Sequence, residues 1–153
     1  MRMMLSVAVL AAAALGALVW VLSVPAMAEA PRRDIAAGAA IYVETCAACH
    51  GAALEGQADW QRPGPDGILP APPHDETGHT WHHGDGMLFD YVALGGAAAL
   101  EARGVTGFAS GMPGFSGVLE DAEIRDVLAY IRSTWPDRIQ QVQAARTQGE
   151  AAR

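Results

Sequence analysis

The chain has no lysine. All ten of its basic residues are arginine, set against seventeen acidic ones, and the formal net charge is −7. A chain of that sign cannot replace the counterions around a phosphate backbone, so nucleic acid is excluded as a partner. A lysine-lined face for docking an acidic protein is excluded as well, and a partner with a basic or apolar face fits better. Cysteine is almost as scarce, with Cys46 and Cys49 the only two in 153 residues. Without a third thiol there is neither a disulfide framework nor a Cys-rich zinc site. No internal repeat is present.

What is plentiful lies at the start. Leu5 to Val24 is an uncharged run rich in Ala, Leu and Val, behind the minimal positive region Met1-Arg2-Met3-Met4. Pro25-Ala26-Met27-Ala28 follows, and Ala26-x-Ala28 is a small-residue cleavage signature. Residues 1–28 therefore read as an export signal peptide. The run exceeds the roughly 7–15 residues of a cleavable h-region and as a helix would cover about 30 Å, so retention as a membrane anchor through residues 5–24 stays open. Both outcomes place the rest of the chain in the periplasm.

Cys46-Ala47-Ala48-Cys49-His50 reads C-x-x-C-H, the c-type haem attachment pattern. Two thiols one helical turn apart can each add across a haem vinyl group, and the histidine that follows is set under the iron as proximal ligand. Competing readings are a thioredoxin-like redox pair, a lone disulfide and half of a zinc site. A redox pair wants a strand before it, and the preceding residues look helical. A zinc site wants a second Cys/His pair. Export favours haem, since c-type haem is attached outside the cytoplasm in bacteria.

Along the exported part, Asp34 can cap a helix that carries Ile35, Gly38, Ala39 and Tyr42 on one face and runs into Cys46. The stretch from Gly51 to Pro73 holds Pro63, Pro65, Pro70, Pro72 and Pro73 and is expected as loop, with Trp60 and Leu69 as the apolar side chains to touch the ring. Asp85 to Leu94 is expected as a helix that Gly95-Gly96 ends. Ala97 to Glu101 is ambiguous, and Gly104 to Gly117 is loop. Glu120 to Trp135 is the clearest helix, with Ile124, Val127, Leu128, Ile131 and Trp135 as its apolar stripe and Pro136 as its stop. Residues 34–136 thus form one domain. Residues 137–153 are a polar tail, expected as a fraying surface helix or as disorder.

The iron's other axial position is assigned by elimination. Outside the leader the only methionines are Met87 and Met112. Met112 sits in Gly111-Met112-Pro113-Gly114-Phe115, where flexible residues let a thioether enter the haem face. Met87 falls at a helix start, where packing is the ordinary role, and a histidine is the other alternative to Met112. His/Met ligation fills both axial positions and raises the potential.

With these pieces the chain resembles the class I cytochrome c family over about Asp34 to Trp135. Cys46, Cys49 and His50 match the attachment motif, and Met112-Pro113-x-Phe115 matches the distal-ligand loop. Gly38 and Tyr42, opposite Tyr130, look like that family's crossing of first and last helices. Glu120 stands where a Ser or Thr cap is usual. The resemblance implies an all-α fold of three to five helices packed around one covalently bound haem c. It implies a periplasmic electron carrier rather than an enzyme, serving redox protein partners or a membrane redox complex. Peroxidase activity would follow only from a labile Met112.

The loop from Trp60 to His83 departs from ordinary members, and its end, His74 to His83, holds four of the five histidines. His79 with His82 or His83 has i, i+3 or i, i+4 spacing, and His74 with Asp75 could complete a copper or zinc site. The plainer reading is a hydrogen-bonded loop, with one or two of these residues and Trp81 beside the haem propionates.

Overall fold

The computed structural model describes residues 32–152, so the export leader over 1–28 and the anchor through 5–24 lie outside the described residues. The fold is all-α, with five helices among the described residues. Among the described residues there is no strand, only an isolated bridge between Ser116 and Leu119.

The first helix, α1, spans residues 35–50 in three continuous pieces: Ile35–Ile41, a π-helical stretch Tyr42–Cys46, and a last turn Ala47–His50. Asp34 caps it as expected, its Oδ1 accepting from Ala37 N at 2.9 Å. Gly51, at φ +81°, ends it directly behind His50. The loop that follows carries no helix until a single 3₁₀ turn, Thr80–His82.

Helix α2 spans Asp85–Leu94 and α3 spans Gly96–Glu101, which settles the ambiguous stretch as helix. Gly95 separates them with φ +86°, and its Cα lies so close to the backbone of Met112, Pro113 and Gly114 that a Cβ there would fall 2.7 Å from Gly114 N. Helix α4 spans Asp121–Ser133, so the expected Glu120–Trp135 helix is trimmed at its end, with Trp135 held by a turn from its N–H to Arg132 O at 3.1 Å. The missing Ser or Thr cap is offset by the reciprocal half of a capping box. Glu123 reaches back and accepts from Glu120 N at 2.7 Å.

α1 lies across α4 at Gly38, where an added Cβ would collide with the carbonyl of Asp126. Asp126 Oδ1 also accepts from Asp34 N at 3.1 Å, and Tyr42 packs on Tyr130 with ring centroids 5.6 Å apart. The expected helix crossing is therefore formed by the expected residues. Tyr42, Leu54, Val127, Ile131, Trp135 and Ile139 make the buried core beneath it. Each such side chain contributes about 1.5–3 kcal/mol on burial.

The polar tail is the main surprise. Asp137–Ala151 forms helix α5, with Ile139 and Gln143 buried. Gly84, the cap position of α2, has no side chain to offer, and α5 supplies the caps instead. Thr147 Oγ1 accepts from Asp85 N at 3.1 Å, and Glu150 Oε2 from Gly86 N at 3.0 Å. Gln143 Nε2 donates to Asp85 Oδ1 at 2.7 Å, and Arg132 pairs with the same oxygen. Beyond Ile139 the docking face of α5 is polar, so its sequence shows no strong apolar stripe.

Gly38→Ala tests the crossing. Alanine favours a helix by about 1 kcal/mol over glycine, but overpacking against a backbone costs about 1–3 kcal/mol. The variant should unfold at lower denaturant than the wild type in equilibrium urea titrations, despite its better helix propensity.

Candidate haem site

His50 occupies the last position of α1 and is 7% exposed. Its Nδ1 lies 2.9 Å from the carbonyl oxygen of Pro72. A carbonyl only accepts, so Nδ1 carries the proton and Nε2 carries the lone pair. Nε2 makes no hydrogen bond among the described residues. Burial lowers the His50 pKa against the opposing effect of the Pro72 bond, which keeps the ring in the neutral form that a ligand needs.

Cys46, one turn before it, and Cys49, next to it, are free thiols, Cys46 half-buried and Cys49 exposed. Burial, with a smaller effect from Cys49, pushes the Cys46 thiol up to about 11. Tyr42 closes the inner side of this turn, donating its hydroxyl to Gly51 O at 2.9 Å. Burial first, and Cys46 second, raise the Tyr42 pKa well above the usual phenol value.

Met112 is half-buried in a loop pinned to the end of α2. Gly96 N donates to Met112 O at 3.1 Å, Phe115 N to Val92 O at 3.0 Å, and Ser116 N to Ala93 O at 2.9 Å. Gly114 packs on the backbone of Leu94, where a Cβ would fall 2.7 Å from the carbonyl carbon. The loop is thus anchored at the methionine's own carbonyl and along the residues that follow it. Met87 lies in the first turn of α2, half-buried.

The histidine segment does not gather into one site. His74 turns inward and stacks on His50, ring centroids 4.0 Å apart and planes 20° apart. Its Nδ1 is 2.8 Å from Thr80 Oγ1, and its carbonyl accepts from Trp135 Nε1 at 2.7 Å. Burial, then the neighbouring His50 and His79, push its pKa down to about 3. His79 instead stacks on Trp60 at 5.4 Å, with His83 edge-on to it at 5.4 Å and His82 tilted at 6.5 Å. His82 is exposed and lies against Trp81 at 3.6 Å. Among the described residues no group of three or more His, Cys, Asp or Glu side chains is arranged to hold a metal ion. His74, expected with Asp75 as a completing ligand of a copper or zinc site, is engaged with Thr80 and His50. Trp60 covers His79, and Leu69 is 38% exposed.

Two contributors were missed in the sequence, Pro72 as acceptor and His74 as stacking partner. A signal for the first was present. The run Pro70-Ala71-Pro72-Pro73 cannot join a helix or a sheet ladder, so its carbonyls are left to other donors.

The donor set fits a covalently bound haem. It offers two thiols at the attachment spacing, a neutral imidazole with its outer nitrogen unengaged, and a thioether on an anchored loop. The cytochrome c family model matches residues 35–135. Neither the curated proteins nor the solved structures that were searched contain a match to the chain. The matched span covers most of the described residues. The chain belongs to the cytochrome c family, and its motif and fold are those of a class I c-type cytochrome. It is an electron-transfer haem protein with covalently bound haem c, and Cys46 and Cys49 have the spacing that this attachment requires.

The low His74 pKa has a consequence for stability. An unfolded histidine titrates near 6.5 and the folded one near 3. Between those values the unfolded chain binds the extra proton, so the contribution is full above pH 6.5 and is lost as pH falls toward 3. Urea titrations from pH 7 to 4 should show stability declining with acid, and declining less steeply in His74→Phe.

Proposed function

We propose that the protein is a periplasmic monohaem electron carrier with His50 and Met112 as axial ligands. The observation that carries this reading is the orientation of His50, whose Nδ1 proton is committed to the Pro72 carbonyl at 2.9 Å. That bond selects the tautomer with a basic Nε2, directly after a turn bearing both thiols. Cys46 and Cys49 hold the cofactor, and Met112 approaches from a loop fixed to α2. Haem, when bound, supplies a one-electron ferrous–ferric couple. The protein's own part is to keep both axial donors in place in either state, so that little rearrangement accompanies transfer.

With both His50 and Met112 on the iron, no site would be left open for peroxide, and the protein would serve as a carrier rather than an enzyme. The acidic surface without lysine supports a redox partner whose docking face is basic or apolar. Such encounters are weak and transient, as turnover in electron transfer needs. Among the described residues no helix is long and apolar enough to cross a membrane. Anchoring through residues 5–24, and service as a subunit of a membrane redox complex, therefore rest on the leader.

Material from a host able to mature c-type cytochromes should carry one covalent haem by intact mass, and the same mass reports whether residues 1–28 are removed. Colourless protein would defeat the reading. Met112→Ala should keep the haem, lose the sulfur-to-iron charge-transfer band at the red end of the ferric spectrum, and gain carbon monoxide binding in the ferrous form. Retention of that band would assign the ligand elsewhere, with Met87 next to test.

A further inference from the structure

The proximal histidine is fixed from one side by a single hydrogen bond. A carbonyl accepts over a broad range of directions, so the Pro72 bond sets the place of Nδ1 but leaves the ring free to turn about it. The second restraint comes from His74, whose ring lies 4.0 Å from that of His50 and 20° from parallel.

His74 is held more firmly than most loop residues. Its N–H donates to Leu54 O at 2.8 Å, and its carbonyl accepts from Trp135 Nε1 at 2.7 Å. Its Nδ1 lies 2.8 Å from the hydroxyl of Thr80, which is itself only 6% exposed. Tyr42 stands edge-on at 6.3 Å. The backbone bonds fix where the side chain starts, and the Thr80 bond fixes how the ring is turned. A leucine or phenylalanine would fill the space but would lack the last restraint.

We infer that His74 is a positioning residue for the proximal ligand: stacked on His50 and locked by Thr80, it sets the plane of the ligand imidazole and keeps water from its outer face. This rests on the assignment of His50 as an axial ligand. The groups around His74 are His50, His79, Tyr42, Thr80 and Trp135, and the role requires no proton uptake by any of them. The partners of a metal-bound histidine set its orientation and basicity. The plane of the imidazole governs its overlap with the iron orbitals, and a dry proximal face disfavours the more highly charged ferric form. The histidine segment thereby gains a use distinct from metal binding. His74 and Thr80 form an inner wall, while His79, His82 and His83 remain toward the surface.

The test uses haem-loaded protein carrying Thr80→Val, His74→Phe or His74→Ala, each first checked for the covalent haem and the sulfur-to-iron band. The readouts are midpoint potential by optical titration and the spread of haem methyl resonances in the ferric proton NMR spectrum, which follows the axial ring plane. His74→Ala should lower the potential, and His74→Phe should recover most of the loss by excluding water. Thr80→Val and His74→Phe should both redistribute the methyl resonances while keeping the sulfur-to-iron band. A loaded His74→Ala with the wild-type potential and methyl pattern overturns the inference. If that variant fails to fold, Thr80→Val decides: an unchanged methyl pattern overturns the inference and a changed one supports it. Wild-type protein without haem would instead remove the assignment beneath it.

Discussion

Between α1 and α4 there is room for one hydrogen atom, the side chain of Gly38 facing the Asp126 carbonyl. Three of the four donors in the haem site depend on that approach. α1 carries Cys46, Cys49 and His50 at its far end, so the angle at which it crosses α4 determines where they stand. Tyr42, one turn beyond Gly38, transmits the constraint. Its ring packs on Tyr130 of α4 and its hydroxyl holds Gly51, the residue that ends the helix behind His50. A glycine that weakens an isolated helix by about 1 kcal/mol is thus retained for the closeness it permits.

The loop from Gly51 to His83 has little regular structure, yet it is well tied. Gly56 N donates to His50 O at 2.7 Å, Gln57 N to Ala71 O at 2.9 Å, and His74 N to Leu54 O at 2.8 Å. These bonds bring the proline-rich stretch back under α1 and present the Pro72 carbonyl to His50. Trp135, at the end of α4, completes the arrangement through the His74 carbonyl. The proximal wall is therefore built from three distant parts of the chain, and none of them could orient the imidazole alone.

Much of this was legible in the sequence, for physical reasons. Asp34 before an apolar face, Gly95-Gly96 after Leu94, and Pro136 after Trp135 are local signals, and the helix boundaries near them came out within two residues. The attachment motif was legible because covalent chemistry demands adjacency in sequence. What escaped depends on contacts across space. The polar segment after Pro136 was readable only as a surface helix or as disorder, since its buried face presents Gln143 and Thr147 to the uncapped end of α2. His74 looked like one member of a histidine cluster, and nothing in its spacing showed that Thr80 and Trp135 would turn it inward.

The crossing at Gly38 joins residues far apart in the chain, with Asp34 and Asp126 bonded across a separation of 92 positions. Contacts of that reach must wait for the intervening chain, because the entropy of closing so long a loop is met before they form. Until α4 is available, the segment bearing the thiols lacks the surface that Gly38 and Tyr42 pack on. Once docked, Cys46 is half-buried with its thiol pushed up to about 11, a poor state for reaction. In the closed fold Cys46 is thus the sheltered attachment thiol and Cys49 the open one.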